Sequence, residues 1–492
     1  MSEHVLAIDQ GTTGTHSLLF DERGRVVGRG YRTFRQYYPK PGWVEHDPEE
    51  IWKSCLDVIG QALGRKNTKI AAIGITNQRE TTILWDRKTG KPIHRAIVWQ
   101  DRRTAPDCDR LRRMGVLGEV RRRTGLLLDP YFSGTKLAWL LREVPGAKSA
   151  ALRGRLAFGT IDTWLIWRLT GGRSHVTDPT NASRTLLLNL ASRDWDPAML
   201  RLLGIPRSLL PEVRPSAGEF GRTVRSGPLP AGVPVTGVAG DQQAALFGQG
   251  CVNPGEMKVT YGTGGFLLLQ TGGRIVRSKS GLLTTIACGP AGEAAYALEG
   301  SVFIAGAVIQ WLRDELKLLA TAAESESVAR SVPDTAGVHV VPAFTGLGAP
   351  WWDAAARGTI TGLTRGAGRA HLVRAALESI AFQVGDVVAA MRRDLGRPIR
   401  SLRVDGGACQ NGLLMQFQSD LVNAALIRPK LIETTGAGAA GLAGIGAKLW
   451  SPSDLGRLRA VDRVFRPRMA AAARRERLAG WHTAVARARL AA

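Results

Sequence analysis

The chain has 492 residues, 44% hydrophobic and 22% charged, which are ordinary values for a globular protein of two or three cored domains. Its formal charge of +24 is unusual, with 53 Arg and 13 Lys making up the 66 basic residues against 42 acidic ones. No apolar stretch is long enough to span a bilayer, and Met1–His4 carries no basic leader. Five scattered cysteines (Cys55, Cys108, Cys251, Cys288, Cys409) form no C-x-x-C pair, which argues against a zinc site or a disulfide framework and for a cytoplasmic protein with reduced thiols.

The basic excess could serve nucleic acid, an anionic membrane or a polyanionic substrate. Its runs, Arg102-Arg103, Arg121-Arg122-Arg123, Arg392-Arg393 and Arg474-Arg475, have no interleaved aromatics and no nucleic-acid motif beside them. The reading is therefore a solvated surface, with no nucleic-acid partner and with peripheral attraction to a membrane left open.

In chain order, Val5–Ile8, Asp9–Thr15 and His16–Asp21 read as strand, Gly/Thr-rich turn and strand. A similar unit recurs at Met257–Leu269, placing Gly11 and Gly262 at equivalent points, so the chain reads as internally duplicated. Each half carries a later strand ending in a polar loop, Ile70–Glu80 in the first and Leu402–Asn411 in the second. Strands alternate with amphipathic helices such as Leu372–Met391, which argues an α/β fold. The link Gly248–Glu256 divides residues 1–250 from 251–492, and the cleft between two such lobes is the expected site. The segment Arg466–Ala492 reads as one or two solvated helices packed on the second lobe.

Gly/Thr turns suit phosphate, because glycine admits close backbone approach and N–H and hydroxyl groups donate to its oxygens. Asp9 at the first turn would repel phosphate unless a cation lay between them, which suggests Mg2+ held partly through water. The stretch Val233–Gly248 reads as strand, Gly turn and a helix opening at Asp241, a residue that is either a helix cap or a working carboxylate. No G-x-x-x-x-G-K-[ST] or protein-kinase loop occurs. Gly436–Gly441 fits G-x-G-x-x-G, but its preceding strand is interrupted by Pro429, and a small-residue helix running on to Trp450 reads as close helix packing.

Several long segments, in order, carry a more specific likeness: Asp9–Thr13, Tyr38–Pro48, Gly74–Thr82, Ala96–Gln100, Asp129–Lys136, Gly237–Gly248, Tyr261–Gly264 and Phe344–Pro350. On these the chain resembles the glycerol-phosphorylating members of the FGGY family of carbohydrate kinases over essentially its whole length. The resemblance implies two actin-like (ribonuclease H-like) ATPase lobes facing a cleft. It also implies ATP-dependent phosphorylation of glycerol with Mg2+, the first step of its catabolism, in a homodimer or homotetramer. By the same resemblance Asp241 is the catalytic base, and Arg79, Glu80, Tyr131, Asp241 and Gln242 bind the polyol, with Trp99 and Phe266 as its apolar wall. Thr12, Thr13, Gly14 and Thr263 match phosphate contacts, and Gly306, Gln310, Gly407 and Asn411 match the rest of the nucleotide site. Asp9 and Asp241 are the candidate metal ligands. Taken singly, Arg79-Glu80 also reads as a surface ion pair and Trp99 as a core residue.

The chain departs from the family where His16 replaces the common Arg beside the nucleotide. The loop Arg225–Pro230 lacks the Gly/Lys-rich pattern of relatives inhibited by fructose 1,6-bisphosphate, and the segment after Pro467 differs from versions that dock a sugar-transport regulator. Neither form of regulation is expected, and no histidine-bearing phosphorylation loop is seen. The alternatives are a kinase for another small polyol or sugar in the same family, and a non-metabolic actin-like ATPase.

Overall fold

The computed structural model describes residues 3–64 and 68–490; Met1-Ser2 of the N-terminal reading and Ala491-Ala492 of the C-terminal segment lie outside them. In the first lobe, β1 (Glu3–Gln10), β2 (Gly14–Phe20) and β3 (Val26–Thr33) form consecutive antiparallel pairs. Helix α1 (Pro48–Leu63) follows, with Asp47 accepting the Glu49 N–H at 2.8 Å and Pro48 fixing its first turn. Strand β4 (Lys69–Asn77) returns parallel to β1. After an insertion containing helix α2 (Ser133–Glu143) come β5 (Ala217–Arg222), β6 (Pro234–Gly240) and α3 (Asp241–Gly248).

The second lobe opens with β7 (Met257–Tyr261) and β8 (Gly265–Gly272), followed by β9 (Leu283–Cys288), β10 (Ala294–Val302) and α4 (Gly306–Asp314). Then come α5 (Arg369–Leu395), β11 (Ser401–Asp405), α6 (Gly412–Val422), β12 (Ala425–Pro429), α7 (Thr434–Gly446), β13 (Val461–Phe465) and α8 (Ala471–Leu490).

The duplication is visible in the strand directions. Sheet one runs β3-β2-β1-β4-β6-β5, paired antiparallel, antiparallel, parallel, parallel and antiparallel. Sheet two repeats that pattern as β10-β8-β7-β11-β12-β13, with β9 added outside β10. Central strands are buried on both faces and so read as continuous apolar runs. In β1, Leu6 and Ile8 join the core beneath α1, while Val5 and Ala7 join the cluster that includes Ala439 and Ala443 of α7.

Helix α7 is the Gly436–Gly441 segment, and it packs as a helix against α3 and sheet one. A Cβ at Gly438 would lie 1.9 Å from the Ala244 carbonyl oxygen, so only glycine permits this approach of α7 to α3. The helix stops at Gly446 rather than reaching Trp450, whose indole folds back over Gly444. Pro429 ends β12 rather than preventing it, at a register shift against the edge strand β13. The C-terminal segment contains one helix, α8, docked by Trp481, which stacks on Phe382 and donates to Asp386 at 2.8 Å. Among the described residues no helix is long and apolar enough to cross a membrane.

Candidate active site

The site lies where β1, β4 and β6 of the first sheet end, facing the polar side of β7, β8 and β10. Strand alternation and register build that second wall. Glu299, Leu268, Lys258 and Arg403 form one cross-strand row, and Ser301, Phe266, Thr260 and Asp405 the next. The intervening residues Met257, Val259 and Tyr261 turn into the core with α5.

From the end of β4 come Arg79 and Glu80, both about 1% exposed, so the pair is not a surface ion pair. The Arg79 guanidinium meets Glu299 of the other lobe bidentately at 2.7 and 2.8 Å. It also donates to Gln243 at 3.2 Å and to the Tyr131 hydroxyl at 3.3 Å, and its Nε lies 3.3 Å from Asp241 Oδ1. Glu80 accepts from Arg184 Nε at 2.6 Å, and Arg184 reaches Glu299 at 3.1 Å. The backbone of Glu80 is left-handed (φ 62°), a conformation disfavoured for a residue with a side chain and held here by Ser133 and Thr82 donating to its carbonyl.

Burial works against ionisation of Glu299, but the guanidinium groups of Arg184 and Arg79 outweigh it and bring its pKa to about 2. Glu80 is raised by burial despite the attraction of Arg79 and Arg184. Arg184, Gln243 and Glu299 are site residues that sequence reasoning missed. The only signal available was a lone charge inside an apolar strand, as in Ala297-Leu298-Glu299-Gly300.

Asp241 is the first residue of α3 and not its cap. Gly240 occupies that position, and the backbone N–H that Asp241 Oδ1 accepts is that of its neighbour Gln242, at 2.7 Å. Its side chain keeps 30% exposure, while those of Arg79, Glu80, Arg184 and Glu299 keep 1% or less. The preceding residue is pinned by Gly240 N–H donating to Thr180 Oγ at 2.8 Å, and Thr180 is itself held by Asp178. Beside Asp241, Asp9 occupies the penultimate position of β1 rather than the turn. Burial first, and the Asp241 carboxylate second, push the Asp9 pKa up to about 7.

Among the described residues no chain donor satisfies the Asp9 carboxylate. Two neighbouring carboxylates, one lacking a protein donor, suit a hard cation that keeps most of its waters, so the residues fit Mg2+. Lys258 is fully buried, and burial lowers its pKa to about 8.

Trp99, Tyr131 and Phe266 form a cluster of aromatic rings. Trp99 is half-buried rather than in the core, with its ring 5.5 Å from Tyr131 and 6.4 Å from Phe266, each edge to face. Its indole N–H donates to Thr12 Oγ at 2.9 Å, joining the wall to the first turn. In that turn the carbonyls of Thr12 and Thr13 are taken by Gln36 and Phe34, while Thr13 is exposed. Gly14 is required because a Cβ there would lie 2.8 Å from the Tyr31 ring. His16 pairs in register with Asp9 and Tyr31, and its ring packs at a tilt against that of Tyr31, 4.3 Å between centroids. Burial lowers its pKa, and nearby Glu433 opposes that shift.

Around the second turn the structure gathers Thr263, Gly306 and Gly407. The first N–H groups of α4, from Ala305 to Ala307, already donate to the carbonyls of Gly262 and Thr263. Gln310 is exposed one turn further along α4. Gly407 opens a short 3-10 turn and faces open space, whereas Gly406 (φ 84°) carries the steric demand, its Cβ position lying 2.5 Å from the Tyr261 carbonyl. Asn411 caps α6, accepting from the Leu414 N–H at 2.9 Å. A cavity of about 850 Å3 between Asp47–Glu49, Arg87–Arg95 and Gly171-Gly172 contains none of these residues.

Residues 4–248 match the N-terminal domain, and residues 257–447 the C-terminal domain, of the FGGY family of carbohydrate kinases. A glycerol kinase of Carboxydothermus hydrogenoformans is 56% identical over 99% of this chain and 98% of its own length. Another, from Symbiobacterium thermophilum, is also 56% identical over 99% of this chain and 98% of its own length. Among solved structures, Plasmodium falciparum glycerol kinase with ADP superposes with a TM-score of 0.93 at 39% identity, over 99% of this chain and 98% of that one. A xylulose kinase from Rhodospirillum rubrum gives a TM-score of 0.85 at 25% identity, over 98% of each chain. The chain belongs to the FGGY family of carbohydrate kinases.

Proposed function

We propose that this chain transfers the γ-phosphoryl group of ATP to a terminal hydroxyl of glycerol, giving sn-glycerol 3-phosphate and ADP. The observation that carries the reading is Asp241, a partly exposed carboxylate at the edge of a buried ionic cage. Its Oδ1 lies 3.3 Å from Arg79 Nε, and Arg79 in turn donates to Tyr131 of the Trp99–Tyr131–Phe266 wall. The wall suits the C–H edge of a triol. Arg79, Glu80, Tyr131 and Gln242 supply donors and acceptors for its hydroxyls.

As the hydroxyl oxygen bonds to the γ-phosphorus, its proton passes to Asp241 and the bond to the β–γ bridging oxygen breaks. Arg79 Nε keeps the Asp241 carboxylate aimed, and the Gly240–Thr180 bond fixes the start of its helix. Thr12, Thr13, Gly14, His16 and Thr263 line the phosphate side, and Gly306, Gln310, Gly407 and Asn411 the nucleoside side. Mg2+, held by Asp9 and Asp241, would neutralise phosphate charge.

The assigned location is the cytoplasm and the assigned assembly a homodimer or homotetramer, which sedimentation would establish. We divide the chain into lobes at 1–250 and 251–492. A screen of phosphate acceptors with MgATP tests the function. Glycerol should give the highest kcat/KM, and a pentose or hexonate preferred over glycerol would replace it with a sugar-kinase reading.

A further inference from the structure

Lys258 is a charged side chain with no exposure in the interior of β7, and the proposed chemistry does not use it. Its ammonium donates to Gln242 Oε1 and, at 2.7 Å, to Thr260 Oγ. Around it the facing charges come from both lobes: Asp405 on β11, Asp241 on α3, Glu299 on β10 and Arg79 after β4.

A carboxamide presents an oxygen on one side and an NH2 on the other, and nothing in Gln242 itself chooses between them. An ammonium has donors only. Lys258 therefore holds the Gln242 oxygen on its own side and leaves the Nε2 amide, which meets no acceptor among the described residues, free on the other. Asp241 and Glu80 can only accept when ionised. A hydroxyl of a bound polyol can both give a proton and receive one, and the Gln242 amide adds a neutral donor to those of Arg79 and Tyr131 beside the carboxylates.

We propose that Lys258 is a positioning residue that locks Gln242 as a hydrogen-bond donor to a substrate hydroxyl, so that polyol affinity depends on a side chain that never touches the polyol. The inference rests on the polyol reading of the pocket. Losing Lys258 frees the amide to rotate and removes the anchor that holds it. The cost falls on the polyol, because the Lys258 ammonium donates to Gln242 and Thr260 and, among the described residues, to no residue of either Gly/Thr turn.

The test is steady-state kinetics on wild type, Lys258→Met, Gln242→Ala and the double variant, varying glycerol and MgATP separately. Lys258→Met should raise the KM for glycerol on the order of tenfold while that for MgATP changes less than about twofold. In the Gln242→Ala background the same substitution should add little, since its target is gone. Equal rises for both substrates, or additive effects in the double variant, would overturn the proposal.

Should Lys258→Met fail to fold, Thr260→Val keeps the charge and the shape and removes the ammonium's second anchor. A rise in glycerol KM of at least about twofold that vanishes in the Gln242→Ala background supports the proposal, and no change overturns it. A wild type that prefers another acceptor to glycerol would fail the polyol reading, an outcome distinct from a variant that leaves a normal glycerol KM.

Discussion

Two residues of the site invite opposite treatment. Glu80 is bound to Arg184, whose second terminal nitrogen is already buried without a partner, so Glu80→Ala would strand a charge and confuse binding with folding. Glu80→Gln keeps the shape and one acceptor; it should raise glycerol KM by about five- to a hundredfold and leave the KM for MgATP nearly unchanged. Equal effects on the two substrates would remove Glu80 from the polyol side.

His16, exposed on one side but with its ring on Tyr31 and its backbone opposite Asp9, is held below the ordinary imidazole pKa by partial loss of solvent on its packed side. Arriving phosphates favour the imidazolium, so nucleotide binding takes up a proton and the KM for MgATP should fall as pH falls. His16→Arg, with a permanent charge, should flatten that dependence between about pH 6 and 8.5. Parallel profiles would show that His16 lies outside the nucleotide's field.

At the scale of elements, α3 carries the proposed base and rests on α7. Asp241 begins α3, and α3 rests on the backbone of α7 at Gly438. Gly438→Ala forces the two helices apart and should cost about 1–3 kcal/mol or more, with a parallel loss of kcat because Asp241 moves with its helix. Gly441→Ala meets only the side chains of Phe247 and Leu455, at 3.2 and 3.3 Å, and should be much milder in both respects. Thermal melts and kcat on the two variants check this; equal behaviour would separate the packing from catalysis. Both hairpins, the strand-turn-helix at Asp241 and the small-residue helix could be read from sequence because their signals are local. The ionic cage could not. Arg79 meets Glu299 and Glu80 meets Arg184 across 220 and 104 residues respectively, and a lone Glu or Lys in a strand gives no hint of its partner.

For the whole molecule, repetition of one strand pattern places two turns and two polar strand ends across a single cleft, in a chain whose formal charge is +24. Inside the cleft the balance reverses. Asp9, Glu80, Asp241, Glu299 and Asp405 outnumber Arg79, Arg184 and Lys258, which favours a cation accompanying the nucleotide. All of this converges on one carboxylate taking one proton. The measurement is turnover of glycerol and MgATP by Asp241→Asn against wild type, with nucleotide binding and melting followed on the same samples. Asparagine keeps the oxygen that meets Arg79 and the Gln242 N–H but cannot act as a base. The account therefore predicts a folded, MgATP-binding protein whose kcat is lower by on the order of 10²–10⁴. A folded variant that turns over within about tenfold of wild type would contradict it.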